Sequence, residues 1–443
     1  MRSSALPPGP RLPPTAQALW WAYRPFEFSR RVHGRYGPTF TARLGGLPPA
    51  VVTVDRDAIR RLFTGDPLSK RHGNDLLRPF VGERAVMVLE PAAHLARRKL
   101  LLPSFHGESV RAYAALMRQL VEEELEKWGA GREVRVMPVA ENLTLEVILR
   151  AVLGMSDPAM RRRLHEHYEA MLAVPGSSIG WYFPKLASRR NPLVRHYWRL
   201  KDELDALLAT QIAATRADPE LGARDDVLAL LVQARDEAGA GLDDDELRDE
   251  LNALLVAGHE TTATAIAWAA ELLAHDRDVQ ERARAAVADD DEDYLDALVK
   301  EVLRLYPPTL IGASRFPLEP FPIGNFTVAP GVSIAVNAHG LHRDPSIYPE
   351  PQRLRPERFL DSPPESYAYL PFGGGAHRCL GASLAQLEMR VVLSALIARF
   401  DLVRVEREIS APVRRATLIA PRGGGRVRLA RVRVRTAAAT APA

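Results

Sequence analysis

The chemistry of this 443-residue chain concentrates on its one cysteine, Cys379. The residue stands in the run Pro371-Phe372-Gly373-Gly374-Gly375-Ala376-His377-Arg378-Cys379-Leu380-Gly381, and a helical pattern over Ala382 to Phe400 begins directly after it. The start of a helix offers unpaired backbone N–H groups and the positive end of the helix dipole, both of which favour a thiolate. The glycines let the backbone approach the sulfur closely, and Phe372 can shield it from water. Elsewhere a lone cysteine reads as a small hydrophobe. Here the surrounding loop argues for thiolate chemistry.

Phe, then Gly, then His or Arg, then Cys, then Gly, just ahead of a helix, resembles the haem-thiolate loop of the cytochrome P450 family. The resemblance implies that Cys379 is the axial ligand of the iron of haem b, its electron donation favouring cleavage of a bound O–O bond. Phe372 and His377 then belong to the haem's binding shell. His377 stands where many relatives have arginine, and it can lose its charge near neutral pH.

A second constellation, Ala257-Gly258-His259-Glu260-Thr261-Thr262, falls inside the helical pattern Asp243 to Ala274. Gly258 removes side-chain bulk, and Thr261 is spaced to bond back to the Ala257 carbonyl, opening the helix locally and leaving room for O2 and water. The resemblance implies that Thr261 is the hydrogen-bond partner of bound dioxygen and Glu260 a proton relay to solvent. His259 is expected to point elsewhere. Two further groups match the family in order along the chain. His94, Arg98, Arg315 and His377 are its candidates for gripping the haem carboxylates. Glu301 and Arg304, at i,i+3 on one helix face, would form a buried triad with Arg358 of Pro356-Glu357-Arg358-Phe359. His342-Arg343-Asp344-Pro345 matches a segment read as structural.

The elements that must position these residues are mostly helices. Apolar residues recur at three-to-four spacing over Ser109 to Trp128, Pro138 to Leu153, Leu193 to Ala214, Asp243 to Ala274 and Val279 to Val287, with a further helix at Ala92 to Leu102. Strand-like alternation is confined to Phe40 to Leu44, Ala50 to Val54 and Val332 to Asn337, between Gly and Pro turn signals. The expected fold class is mainly α with small β-sheet regions, the cytochrome P450 fold by resemblance. Residues 1–443 are expected to form one haem domain, with a Pro-rich leading segment at 1–15 and a disordered tail at 436–443.

Composition narrows the rest. Lys+Arg 59 against Asp+Glu 55 leaves a net charge of +4, too small for a nucleic-acid footprint. The arginines after Pro412 alternate with Val427, Leu429, Val432 and Val434, as on a solvated strand face. One cysteine excludes an intrachain disulfide and an iron–sulfur cluster, in keeping with a cytoplasmic protein. No stretch is apolar enough to span a bilayer. The family implies a monooxygenase that inserts one atom of O2 into an apolar small molecule, a fatty acid, terpenoid, steroid or polyketide-like compound. Asn74 to Val88, Val174 to Phe183, Ala253, Ala257, Leu310 to Ala313 and Thr417-Leu418 would line its pocket. No flavin- or nucleotide-binding unit is left over, so NAD(P)H-derived electrons must come through a separate ferredoxin or flavodoxin with its reductase. Arg97, Lys99, Arg378 and Arg390 are candidates for docking that partner, and the chain is expected to be a monomer. A peroxide-using hydroxylase, or an oxygen-independent isomerase or dehydratase, is disfavoured by the intact Glu260-Thr261 pair. A gas-sensing or storage haem protein would leave that pair without use.

Overall fold

The computed structural model describes residues 6–64, 74, 77–105, 107–172, 189–415 and 417–432. Helices dominate, and the core forms around one of them, Asp244–His275, called here the long helix. Its start is fixed by a capping box. The Asp243 side chain accepts from the Glu246 N–H, while Glu246 accepts from the Asp243 N–H. Most of its length is buried, Leu247, Leu251, Leu255, Ile266, Trp268 and Leu272 among its apolar residues, as befits a helix enclosed by others. Packed on it are Val136–Val147, continued by a π turn at Ile148–Val152, and the cysteine helix Ala382–Arg399. The helix Glu292–Leu305 packs against both the long helix and the cysteine helix.

Small sheets flank this helical body. Four strands lie in the order Thr39–Ala42, Ala50–Thr53, Ser333–Asn337 and Ile311–Arg315, with only the middle pair parallel. A second sheet joins Glu133–Arg135, Arg426–Arg431 and Phe400–Arg404. Its middle strand buries Val427 and Leu429 and exposes Arg428, the alternation the sequence shows. A hairpin of Pro412–Arg415 and Leu418–Pro421 is tied to the long helix by the Trp268 indole, which donates to the Ile419 carbonyl at 2.8 Å. The mainly helical class with small sheets is therefore the architecture found. Each expected helix and strand is present, with ends shifted by a few residues; Glu133–Arg135 and Ile311–Arg315, too short or too polar to alternate, were not read as strands.

Candidate active site

Glycine shapes the cysteine loop. Gly373 and Gly375 take φ of +66° and +64°, conformations that strain other residues. A Cβ at Gly373 would lie 2.6 Å from the Gly312 carbonyl oxygen, and one at Gly375 2.8 Å from that of Phe63. The loop thus presses on the edge strand Ile311–Arg315, and it closes where the Cys379 N–H donates to the Phe372 carbonyl at 2.9 Å. Cys379 opens onto a cavity of about 2110 Å³ that Phe372, His377, Leu380 and Gly381 also line. Beside the sulfur, a Cβ on Gly381 would meet nothing within 4 Å, so the cavity continues there. The Gly381 N–H, Arg98 and Arg378 all favour a thiolate, but burial outweighs them and holds the thiol above its ordinary range. A cation against the sulfur is what would ionise it, and a metal ion does this most strongly.

The long helix lines the same cavity with Ala253, Ala257, Gly258, Glu260 and Thr261. A Cβ at Gly258 would lie 2.9 Å from Ile148 Cδ1, in the π turn, so a larger residue there would displace that side chain. Thr261 Oγ1 donates to the Ala257 carbonyl at 2.6 Å, the bond its spacing predicts. The helix runs unbroken past this point, so the expected opening is limited to that one side-chain bond. Burial pushes the Glu260 carboxyl above its ordinary range; Arg415 pulls it back and Glu141 adds to the rise. Arg415 and Glu141 are themselves paired at 2.7 Å. His259 is buried edge-on against Tyr168, with its pKa pushed down to about 3 by burial, and is a neutral core residue.

His94, Arg98, Arg315 and His377 all reach this cavity from three separate stretches of chain. Arg315 is 8% exposed, donates to the adjacent Ser314 carbonyl at 2.9 Å, and has no carboxylate partner among the described residues. Burial brings its guanidinium down to about 10. A buried cation without a counter-ion is costly, so Arg315 is built for an anion. Arg98 donates to the Arg378 carbonyl at 2.7 Å, and the His94 and His377 rings stack at 3.8 Å. A large cavity with a thiol on its wall and cations around it fits haem, whose iron takes a thiolate and whose propionates take cations.

Behind the loop, Glu301 accepts from Arg304 at 2.7 and 2.9 Å, from Arg358 at 3.0 Å and from the Arg355 N–H at 2.9 Å, all buried or nearly so. Arg304 also donates to the carbonyls of His342 and Pro351. The His342 ring accepts from the Leu370 N–H at 2.8 Å, just ahead of the cysteine loop. The triad read from the sequence is formed, and it braces the segment that delivers Cys379.

A sequence model of the Cytochrome P450 family matches residues 7–423. The chain belongs to the cytochrome P450 family. Among its relatives is "Putative cytochrome P450 137" of Mycobacterium tuberculosis, 36% identical over 403 residues, covering 90% of this P450 and 84% of the relative. "Putative cytochrome P450 135B1" of Mycobacterium bovis is 35% identical over 436 residues, covering 96% and 92%. The solved structure of retinoic acid-bound cyanobacterial CYP120A1 superposes with a TM-score of 0.81 at 27% identity, covering 97% of this chain and all of that one. The P450 is accordingly a haem-thiolate monooxygenase, and no helix among its described residues is long and apolar enough to cross a membrane.

One expectation is overturned by the structure. Arg97, expected on a docking surface, is buried and pairs with Glu246 and with Glu250 at 2.9 Å. Of its companions, Lys99 pairs with Glu237 and Arg390 with Glu292 and Asp296, while Arg378 is exposed. Asn74, Leu77, Phe80, Val86, Met87, Leu310, Ile311, Gly312, Thr417 and Leu418 do line the cavity. Val174 to Phe183 and the tail 436–443 lie outside the described residues. Arg415 is the exposed strand residue expected, but sequence reasoning missed its pairing with Glu141 beside Glu260. It also missed Glu388, a buried cavity-lining acid on the cysteine helix whose signal was in plain view: an acid at an apolar position of that helix.

Proposed function

We propose that this P450 hydroxylates an apolar small molecule, with Cys379 as the thiolate that would hold the haem iron. Haem supplies the activation of O2, one atom going to substrate and the other leaving as water. Arg98, Arg315, His94 and His377 would hold the haem carboxylates, and Phe372 would keep water from the sulfur. The carrying observation is Arg315, a buried guanidinium that lacks a counter-ion among the described residues and lines the same cavity as the thiol. Thr261 presents its hydroxyl to the cavity, and Glu260, one residue before it, passes protons inward from solvent on the side of Arg415 and Glu141. Ala253, Ala257, Leu310, Leu418 and Phe80 make the substrate wall apolar, which supports a fatty acid, terpenoid, steroid or polyketide-like substrate. The neighbour bound to retinoic acid, an apolar chain ending in a carboxylate, supports the same class. Electrons come from NAD(P)H through a separate ferredoxin or flavodoxin with its reductase, in the cytoplasm.

The test is the absorption spectrum of purified ferric protein titrated with fatty acids, steroids, terpenoids and macrolides. A spin-state shift with one class supports the reading and selects the substrate chemistry. Cys379→Ser is expected to lose the thiolate spectrum, and wild-type protein that takes up no haem overturns the reading.

A further inference from the structure

Arg97 belongs to a cluster that the reaction does not use. The first turns of the long helix carry Asp243, Glu246, Asp249 and Glu250, at spacings that put them along one edge. Each grips the chain between Gly82 and Arg97. Asp243 accepts from the Arg84 side chain at 2.7 Å and Asp249 from the Arg84 N–H at 3.0 Å. Glu250 accepts at 2.9 Å from both the Val86 N–H and Arg97, which also pairs with Glu246 and donates to the Arg84 carbonyl. The approach is close enough to need glycine: Gly82 has φ of +92°, and a Cβ there would lie 2.2 Å from the Asp249 carboxylate. Glu250 is 1% exposed, and its second oxygen, Oε2, has no partner among the described residues.

The gripped segment is a wall of the cavity, which Val86, Met87 and Glu250 itself line. We propose that Glu250 and Arg97 are positioning residues, the buried pin of a latch by which the long helix holds the 82–88 segment, and that this latch sets how fast apolar ligands reach and leave the cavity. Its bearing on turnover rests on the reading of that cavity as the substrate site.

The pin is sensitive to pH. Burial pushes Glu250 up to about 7, against the pull of Arg97 and the Val86 N–H and with a smaller push from Asp249. Glu246 also faces Arg97, and Arg84 faces Asp243. Ionised Glu250 holds its two donors by charge-assisted bonds, so the latch tightens as pH rises through about 7. Overall stability moves the other way. A carboxyl whose folded value is raised stabilises the fold fully below its ordinary range, and that contribution is lost as pH rises through the folded value. Local and global readouts therefore separate.

The experiment is deuterium exchange on the haem-loaded protein, with stopped-flow binding of 4-phenylimidazole, in wild type, Arg97→Gln and the near-isosteric Glu250→Gln. Uptake in 82–88 is expected to be about tenfold faster in both variants, with faster probe association and dissociation. Wild-type probe rates, divided by those of Glu250→Gln at the same pH so that the imidazole's own titration cancels, should fall from about pH 6 to about pH 8, and a ratio that stays flat removes the pH dependence. Unchanged uptake in 82–88 in both variants, or an equal increase across Ala382–Arg399, overturns the latch. A wild-type protein with no spectral response to the probe overturns the haem reading instead, and the deuterium result still decides the latch.

Discussion

At Thr261 the hydroxyl is held by the Ala257 carbonyl one turn back along the helix, at 2.6 Å. A hydroxyl so placed has a fixed direction, which is what proton delivery needs and what a mobile serine or water would lack. Thr261→Ala keeps the helix and loses the hydroxyl. NAD(P)H oxidation is expected to continue while product per NAD(P)H falls about tenfold or more and peroxide rises. Unchanged product yield would show that Thr261 is not the relay. Glu260 carries no such signature in its own neighbourhood, because its proton affinity is raised first by burial in the assembled fold and then adjusted by Arg415 and Glu141 from two other elements.

Among the elements, the helix Glu292–Leu305 bears most directly on Cys379. One carboxylate, Glu301, holds two arginines and a backbone N–H, and one of those arginines, Arg304, reaches carbonyls on the segment that precedes the cysteine loop. Removing the carboxylate leaves two guanidiniums buried without a counter-ion. Glu301→Ala is expected to cost about 3–5 kcal/mol, read by urea unfolding together with the haem-to-protein absorbance ratio. A loss under about 1 kcal/mol would mean that the arginines find water or other acceptors.

For the whole molecule, Glu388 links the cavity to stability. Burial alone pushes its carboxyl up to about 8 from the ordinary 4.5. The fold thus binds this proton more tightly than the unfolded chain does. Its contribution to stability is full below the ordinary value and is lost as pH rises through about 8. Glu388→Gln, which cannot ionise, should match wild type near the low end of that window and exceed it at the high end by on the order of a few kcal/mol. Melting curves across pH test this, and parallel profiles would show that Glu388 has found a partner in the loaded protein.

What could be read from the chain alone was whatever depends on near neighbours. The cysteine loop ahead of a helix, the Thr261–Ala257 spacing, the Glu301–Arg304 pair and the helical periods each need a turn or two of chain, and together they carried the family and the mainly helical class. Arg97 was misread, and the partner of the exposed strand residue Arg415 was missed, for the opposite reason. The partner of Arg97 is 153 residues away and that of Arg415 is 274 away. An arginine that will be buried against a distant acid has the same local pattern as one that will face water. Only the tertiary structure, by bringing the long helix to Arg97 and the helix Val136–Val147 to Arg415, decided which arginines are free to hold an external anion and which are already paired.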